Sequence, residues 1–277
     1  MKIDKIIVPI DFSDHSDYAL EAASIMARQY DAEILALHML ELSDSVLLKA
    51  DDVQNEKALF YLKLAEKRFQ EFLDKDYLND IKVTPMVKHY KVFSEVSKVA
   101  DEHSVDLIVM GSHGTSGFSE LFIGSNTERV VRNSNVPVLI IKKKPNNLSF
   151  NKIILGTNFQ KESREIYKKV NNAFGDNDLY LLHVNVPNDN FRSTTELEEQ
   201  VNDFLLASDG NLDAKNKVHF VSDYTVESGI SNFAKKIDAD LIVVSTHGRT
   251  GIAHFFEGSI TEDIANHANL PVLTFRI

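Results

Sequence analysis

Gly111-Ser-His-Gly114 is followed, after nine residues, by Gly124-Ser125. The same spacing returns 134 residues later as Ser245-Thr-His-Gly248 and Gly258-Ser259. These residue types in this order suit the holding of a phosphate. Glycine lets main-chain N–H groups approach an anion with no side chain between them, and a helix opening at Gly-Ser presents unpaired amides at the positive end of its dipole. In the first copy Ser125, Asn126 and Thr127 would add amides and hydroxyls. In the second, Ser259 and Thr261 stand in the matching places. Glycines are also ordinary turn residues and Ser125 is an ordinary helix cap; the spacing shared by the two copies is what favours a cradle.

His113 and His247 sit inside the two loops and invite a metal or general-base reading. No second histidine lies three or four residues away to complete a metal pair, since His103 is ten positions back and His89 is on another element. A turn histidine bonded to the backbone fits better, and His113 enters the candidate site only as part of the loop. No metal site is expected.

The elements around the two blocks must place them. An acid-led apolar strand precedes each one (Asp106–Met110 and Asp240–Val244), and a Pro-Val-Leu strand follows it (136–141 and 270–275). Hydrophobic periodicity predicts a strand over 5–10, a helix over 14–30 capped by Ser13, a strand over 33–40 and a long amphipathic helix over 53–73. A strand over 81–87 and a helix over 94–102 follow, then the strand, loop, helix and strand of the glycine block. The second half repeats this order with strands near 152–155, 178–184 and 217–221 and helices near 161–174, 196–206 and 228–236. Strands alternating with helices at this spacing form parallel sheets covered on both faces. The expectation is therefore an α/β protein of two tandem doubly wound domains, residues 1–144 and 150–277, joined at the polar stretch 145–149.

Composition narrows the function classes. The chain has 277 residues, 43% of them apolar, enough for two cores. It has no cysteine, which removes thiol nucleophiles and thiolate metal sites. A formal charge of -11 argues against general affinity for nucleic acid or anionic membrane. Lys142-Lys-Lys144 reads as the solvated end of a strand. No segment has the apolar length of a membrane helix and the N-terminus runs straight into a strand, so a cytoplasmic protein is expected. The strings of a Walker NTPase (GxxxxGK[ST]), a dinucleotide-binding dehydrogenase (GxGxxG after the first strand) and an α/β-hydrolase (GxSxG) do not occur. None of these enzyme classes is supported by the sequence.

With Pro9-Ile-Asp11-Phe-Ser13 at the end of the first strand, His38 near the end of the second, the GxxGx9GS block and the Val-Pro-Val-Leu ending, the chain resembles the universal stress proteins in their tandem form. The resemblance implies five-stranded, Rossmann-like sheets of order 3-2-1-4-5, with halves or subunits pairing through their fifth strands, and ATP binding where the glycine block is complete. It also implies that Pro9 and Ile10 belong to the nucleotide site and that the backbone of Met39 meets the adenine edge. In that strand order the ligand crevice lies between the first and fourth strands, so Asp11 and Gly111 should face one another across it. Two roles are open to Asp11: accepting hydrogen bonds from ribose hydroxyls, or closing the turn into the helix at Ser13. In the second half Asn158 replaces Asp11 and Ser245 replaces Gly111, which weakens that site, while Arg249 supplies a cation where the first half has Thr115. The expectation is a regulatory protein holding ATP, with Mg²⁺, mainly in its N-terminal half. The halves would form an internal pseudo-dimer that is able to pair again as a homodimer, and an unidentified protein would read the nucleotide state. The alternative is an interaction protein with both cradles vestigial.

Overall fold

Lys5–Ile10 (β1) is an apolar run with no polar residue after Lys5, as a strand covered on both faces requires. It is followed by helix α1, Asp14–Tyr30, whose alanines at helical spacing let it lie close to the sheet. Ser13 caps this helix, its hydroxyl accepting from the Ser16 amide at 3.2 Å. The first half continues through β2 (Glu33–Leu40), α2 (Asp52–Leu73), β3 (Val83–His89), α3 (Glu95–Glu102), β4 (Leu107–Gly111), α4 (Ser125–Asn133) and β5 (Val138–Ile141). The second half runs β6 (Lys152–Gly156), α5 (Arg164–Phe174), β7 (Asp178–Asn185), α6 (Thr194–Asp209), β8 (Val218–Ser222), α7 (Val226–Ile237), β9 (Leu241–Thr246) and β10 (Val272–Arg276). The computed structural model describes residues 2–40, 52–89, 95–112, 125–145, 148–187, 191–246 and 270–276.

The chain divides into two compact units, one holding β1–β5 and the other β6–β10. In the first the strand order is β3-β2-β1-β4-β5 and in the second β8-β7-β6-β9-β10. Every described pairing within a unit is parallel. The 3-2-1-4-5 order expected from the sequence is thus present twice. Ile6, Ile7, Ile34, Leu37 and Ile108 are essentially inaccessible in the first unit, as are Ile153, Ile154, Leu181 and Ile242 in the second. Burying each such side chain stabilises the fold by about 1.5–3 kcal/mol.

The acids that lead β4 and β9 have matching structural tasks. Asp106 Oδ2 accepts the amides of Asp4 and Lys5, both at 2.9 Å, while Asp240 Oδ2 accepts those of Asn151 and Lys152 at 3.0 and 2.9 Å. Lys5 and Lys152 then donate to the His103 and Ile237 carbonyls, both at 2.9 Å. Each acid thereby fixes the start of the first strand of its unit against the fourth, at the opposite end of the sheet from the candidate crevice. Helix α5 begins three residues later than its periodicity predicts, because Lys161–Ser163 forms a tighter 3₁₀ turn. Lys143 and Lys144 are exposed, as their solvated reading requires, whereas Lys142 is half-buried and burial pushes its ammonium down to about 8.

Candidate functional site

β1 pairs with β4 in the register Ile6 to Leu107 and Ile7 to Ile108. Carried forward in step, this brings Ile10 level with Gly111 and Asp11 with Ser112. β2 lies on the other side of β1, so the carboxyl ends of β1 and β4 are where the strand order reverses. This is the position at which open α/β sheets take ligands.

Asp11 leaves β1 in a tight turn. Its Oδ1 accepts from the Ser13 amide at 3.0 Å and from the Ser13 hydroxyl at 2.5 Å. Between them Phe12 adopts a left-handed backbone, with φ 66°. For a residue with a side chain that conformation costs about 1–2 kcal/mol, so surrounding contacts must hold it. The Phe12 ring lies 4.4 Å from the His38 ring and meets Phe69 and Phe72 edge-on, and the Arg68 guanidinium sits over it at 4.6 Å. His38 Nδ1 is 2.8 Å from the Ile10 carbonyl, which can only accept, so this nitrogen carries the proton. Burial pushes His38 below the usual histidine value, while its bond to Ile10 pulls the other way.

The opposite wall is built from β4 and α4. Thr127 is buried and its hydroxyl donates to the Gly111 carbonyl at 2.9 Å, tying the first turn of α4 to the end of β4. The Ser112 amide donates to the Ile141 carbonyl at 3.0 Å. A Cβ on Gly111 would stand 2.6 Å from the His15 carbonyl oxygen and 2.7 Å from its Cβ. Glycine at 111 is therefore required by the close approach of α1. Met39 is buried in β2, level with Lys88 of β3, and Pro9 and Ile10 are buried in β1.

The second unit repeats the turn with neutral chemistry. Asn158 Oδ1 accepts from the Gln160 amide at 3.0 Å and the Ser163 hydroxyl at 2.9 Å, and Phe159 is left-handed with φ 53°. His183 Nδ1 lies 3.1 Å from the Thr157 carbonyl, and burial again pushes the imidazole below its usual value. The Phe12–His38 and Phe159–His183 arrangements were missed as a pair in the sequence. Their signal was the repeat itself: Asp11-Phe12 returns as Asn158-Phe159, and His38 as His183.

The structure thus brings Asp11, Gly111 and Thr127 to the carboxyl ends of β1 and β4, with Asn126 in the first turn of α4 and the helix opening at Ser125. His113, Gly114 and Gly124 lie outside the described residues, as do Gly248, Arg249, Gly258, Ser259 and Thr261. Among the described residues no group of His, Asp or Glu side chains could hold a metal ion, and no helix is long and apolar enough to cross a membrane.

The model of the universal stress protein family matches this chain twice, over residues 2–142 and 149–276. The chain belongs to the universal stress protein family. Among its relatives, universal stress protein MJ0531 of Methanocaldococcus jannaschii is 32% identical over 146 residues, covering 50% of this chain and 82% of that protein. Universal stress protein MJ0577 of the same organism is 30% identical over 154 residues, covering 50% of this chain and 95% of its own. A universal stress protein from Archaeoglobus fulgidus matches end to end, over 99% of this chain and 96% of its own, with a TM-score of 0.64 at 23% identity. That likeness shows the fold, with both units of this universal stress protein inside it.

Proposed function

We propose that this universal stress protein binds ATP with Mg²⁺ in its N-terminal unit and acts as a sensor or regulator. The observation that supports this most is that β1, which ends just before Asp11, neighbours β4, whose Gly111 carbonyl accepts from Thr127 in the first turn of α4, where the strand order reverses. An acid on one wall suits ribose hydroxyls. The first amides of a nine-residue helix on the other wall suit phosphate, and Mg²⁺ would arrive with the nucleotide and offset its charge. In the second unit Asn158 has no charge to offer, so that unit is the weaker site. Occupancy would alter a surface beside the glycine block that a partner protein reads. The chain would do this as an internal pseudo-dimer in the cytoplasm.

A ligand that binds only the folded protein raises its melting temperature, by the equivalent of about 2.7 kcal/mol at a hundred times its dissociation constant. Thermal unfolding with and without Mg-ATP is therefore the test. The proposal expects a rise in the parent and none in Asp11→Ala; no rise in the parent refutes it. A second reading, an interaction protein that binds no nucleotide, is favoured by three contacts. Ser13 engages the Asp11 carboxylate, Thr127 donates to Gly111, and Gly111 is bare because α1 needs the space.

A further inference from the structure

The sheet of the second unit ends in β8, and among the described residues no strand lies outside it. The Asp223 amide, just past β8, donates to the Asn185 carbonyl of β7 at 3.4 Å. Main-chain groups alternate in direction along a ladder, so those of Phe220 and Ser222 point away from β7, towards the open edge. The side chains along this edge include uncovered apolar groups: Phe220 is 37% exposed, Tyr224 88% and Val226 39%. An edge of this kind is a template for another strand.

The first unit blunts the equivalent edge. Its outermost strand is β3, and the Ile34 amide of β2 donates to the Lys82 carbonyl at 2.9 Å. By the same alternation the main chain of residue 85 points outward. That residue is proline, which offers no N–H to an incoming strand. β8 contains no proline. His38 is level with Val87 of β3 and His183 with Phe220 of β8, so the exposed ring stands where the first unit has a valine.

The charges that flank β8 select its occupant. Lys217 immediately precedes the strand and Asp223 immediately follows it. In an antiparallel pair of two β8 strands centred on Phe220, each Lys217 comes level with Asp223 of the other chain, and the two Phe220 rings meet at the two-fold axis. The outward main-chain groups fit the same register. Each Phe220 amide meets the other Phe220 carbonyl, and each Ser222 amide meets a Val218 carbonyl; the Val218 amide, which bonds to the Lys215 carbonyl, is not needed. A shift of one residue sets Lys217 against Tyr224 and brings Val221, whose main chain bonds towards β7, to the new ladder. We infer that two copies of this chain associate through their β8 edges, antiparallel and centred on Phe220. The contact is isologous and distinct from the fifth-strand pairing that the family resemblance implies. With five residues in the strand it is short, so the association is weak and concentration-dependent.

The test is sedimentation velocity of the full chain without nucleotide, from about 5 μM to about 500 μM, where the inference expects reversible self-association. Phe220→Lys sets two cations face to face at the axis and should abolish it over this range. Lys217→Glu and Asp223→Lys, each checked for folding by circular dichroism, oppose like charges twice per pair and should each weaken it about tenfold. An equimolar mixture of those two variants restores both ion pairs and should associate as tightly as the parent. A parent that stays monomeric throughout overturns the inference, as would be found if the edge served a strand of another protein. Self-association unchanged by Phe220→Lys, or a mixture that associates no better than either variant alone, overturns it as well.

Discussion

Gly111 tests whether a glycine of the candidate cradle serves a ligand or the fold. Its backbone is outside the left-handed region, so alanine is permitted there by conformation. The obstacle is space: an added Cβ falls 2.6–2.8 Å from the carbonyl oxygen, Cβ and carbonyl carbon of His15. These contacts are about 0.6–0.8 Å short of ordinary van der Waals separation, and two of the three atoms are backbone, so no rotamer change relieves them. Helix α1 must move off β4. Overpacking of this kind costs about 1–3 kcal/mol, whereas the reduced freedom of the unfolded chain returns about 0.4–1 kcal/mol, so the net change is destabilising. Gly111→Ala should lower the melting temperature of the N-terminal unit by about 2–4 °C per kcal/mol lost. Ser245 already carries a side chain in the matching place, so Ser245→Gly should cost no more than about 1 kcal/mol, the backbone-entropy cost of glycine. Urea denaturation of both variants, with Mg-ATP affinity measured in each, decides the matter. A Gly111→Ala protein as stable as the parent but unable to bind nucleotide would refute the helix-contact account of this glycine.

Other expectations follow from single contacts. Thr127→Val keeps the shape and loses the bond to Gly111, so it should cost about 1–3 kcal/mol in chemical denaturation, the penalty for a buried acceptor left unpaired. Asp106→Ala removes the acceptor of two amides at the start of β1, of which that of Asp4 is exposed and can turn to water, so it should destabilise its unit by about 0.5–1.5 kcal/mol, read the same way. His38 and His183 both have folded values depressed by burial. Their contribution is present above the ordinary histidine value near 6.5 and is lost as pH falls through the folded values, because the unfolded chain takes up protons first. Melting temperature should therefore drop on acidification below about pH 6.5, and His38→Gln should flatten that drop.

The α/β fold class was legible because the repeat displays each element twice, and because the apolar runs of β1, β4, β6 and β9 suit strands buried on both faces; the strand order was legible only through the family resemblance. The Ser13 cap was legible because a serine directly before an apolar-periodic run has one obvious task. The turns were not. A left-handed Phe12 has no local signature, being held by His38, Phe69 and Arg68 from distant parts of the chain. Gly111 shows the same dependence on distant contacts: besides the anion that sequence ties to its bareness, the atoms nearest an added Cβ belong to His15, which only the packing of α1 reveals. Asp11 kept both of its expected roles in play, since the turn bond to Ser13 is present and the crevice lies beside it.

The most direct test of the central claim is the stoichiometry of Mg-ATP binding to the intact chain by calorimetric titration, repeated with Asp11→Ala and Asn158→Ala. The account predicts one strong site per chain that disappears with Asp11→Ala and survives Asn158→Ala. No heat of binding in the parent, or a site that survives Asp11→Ala and disappears with Asn158→Ala, would contradict it.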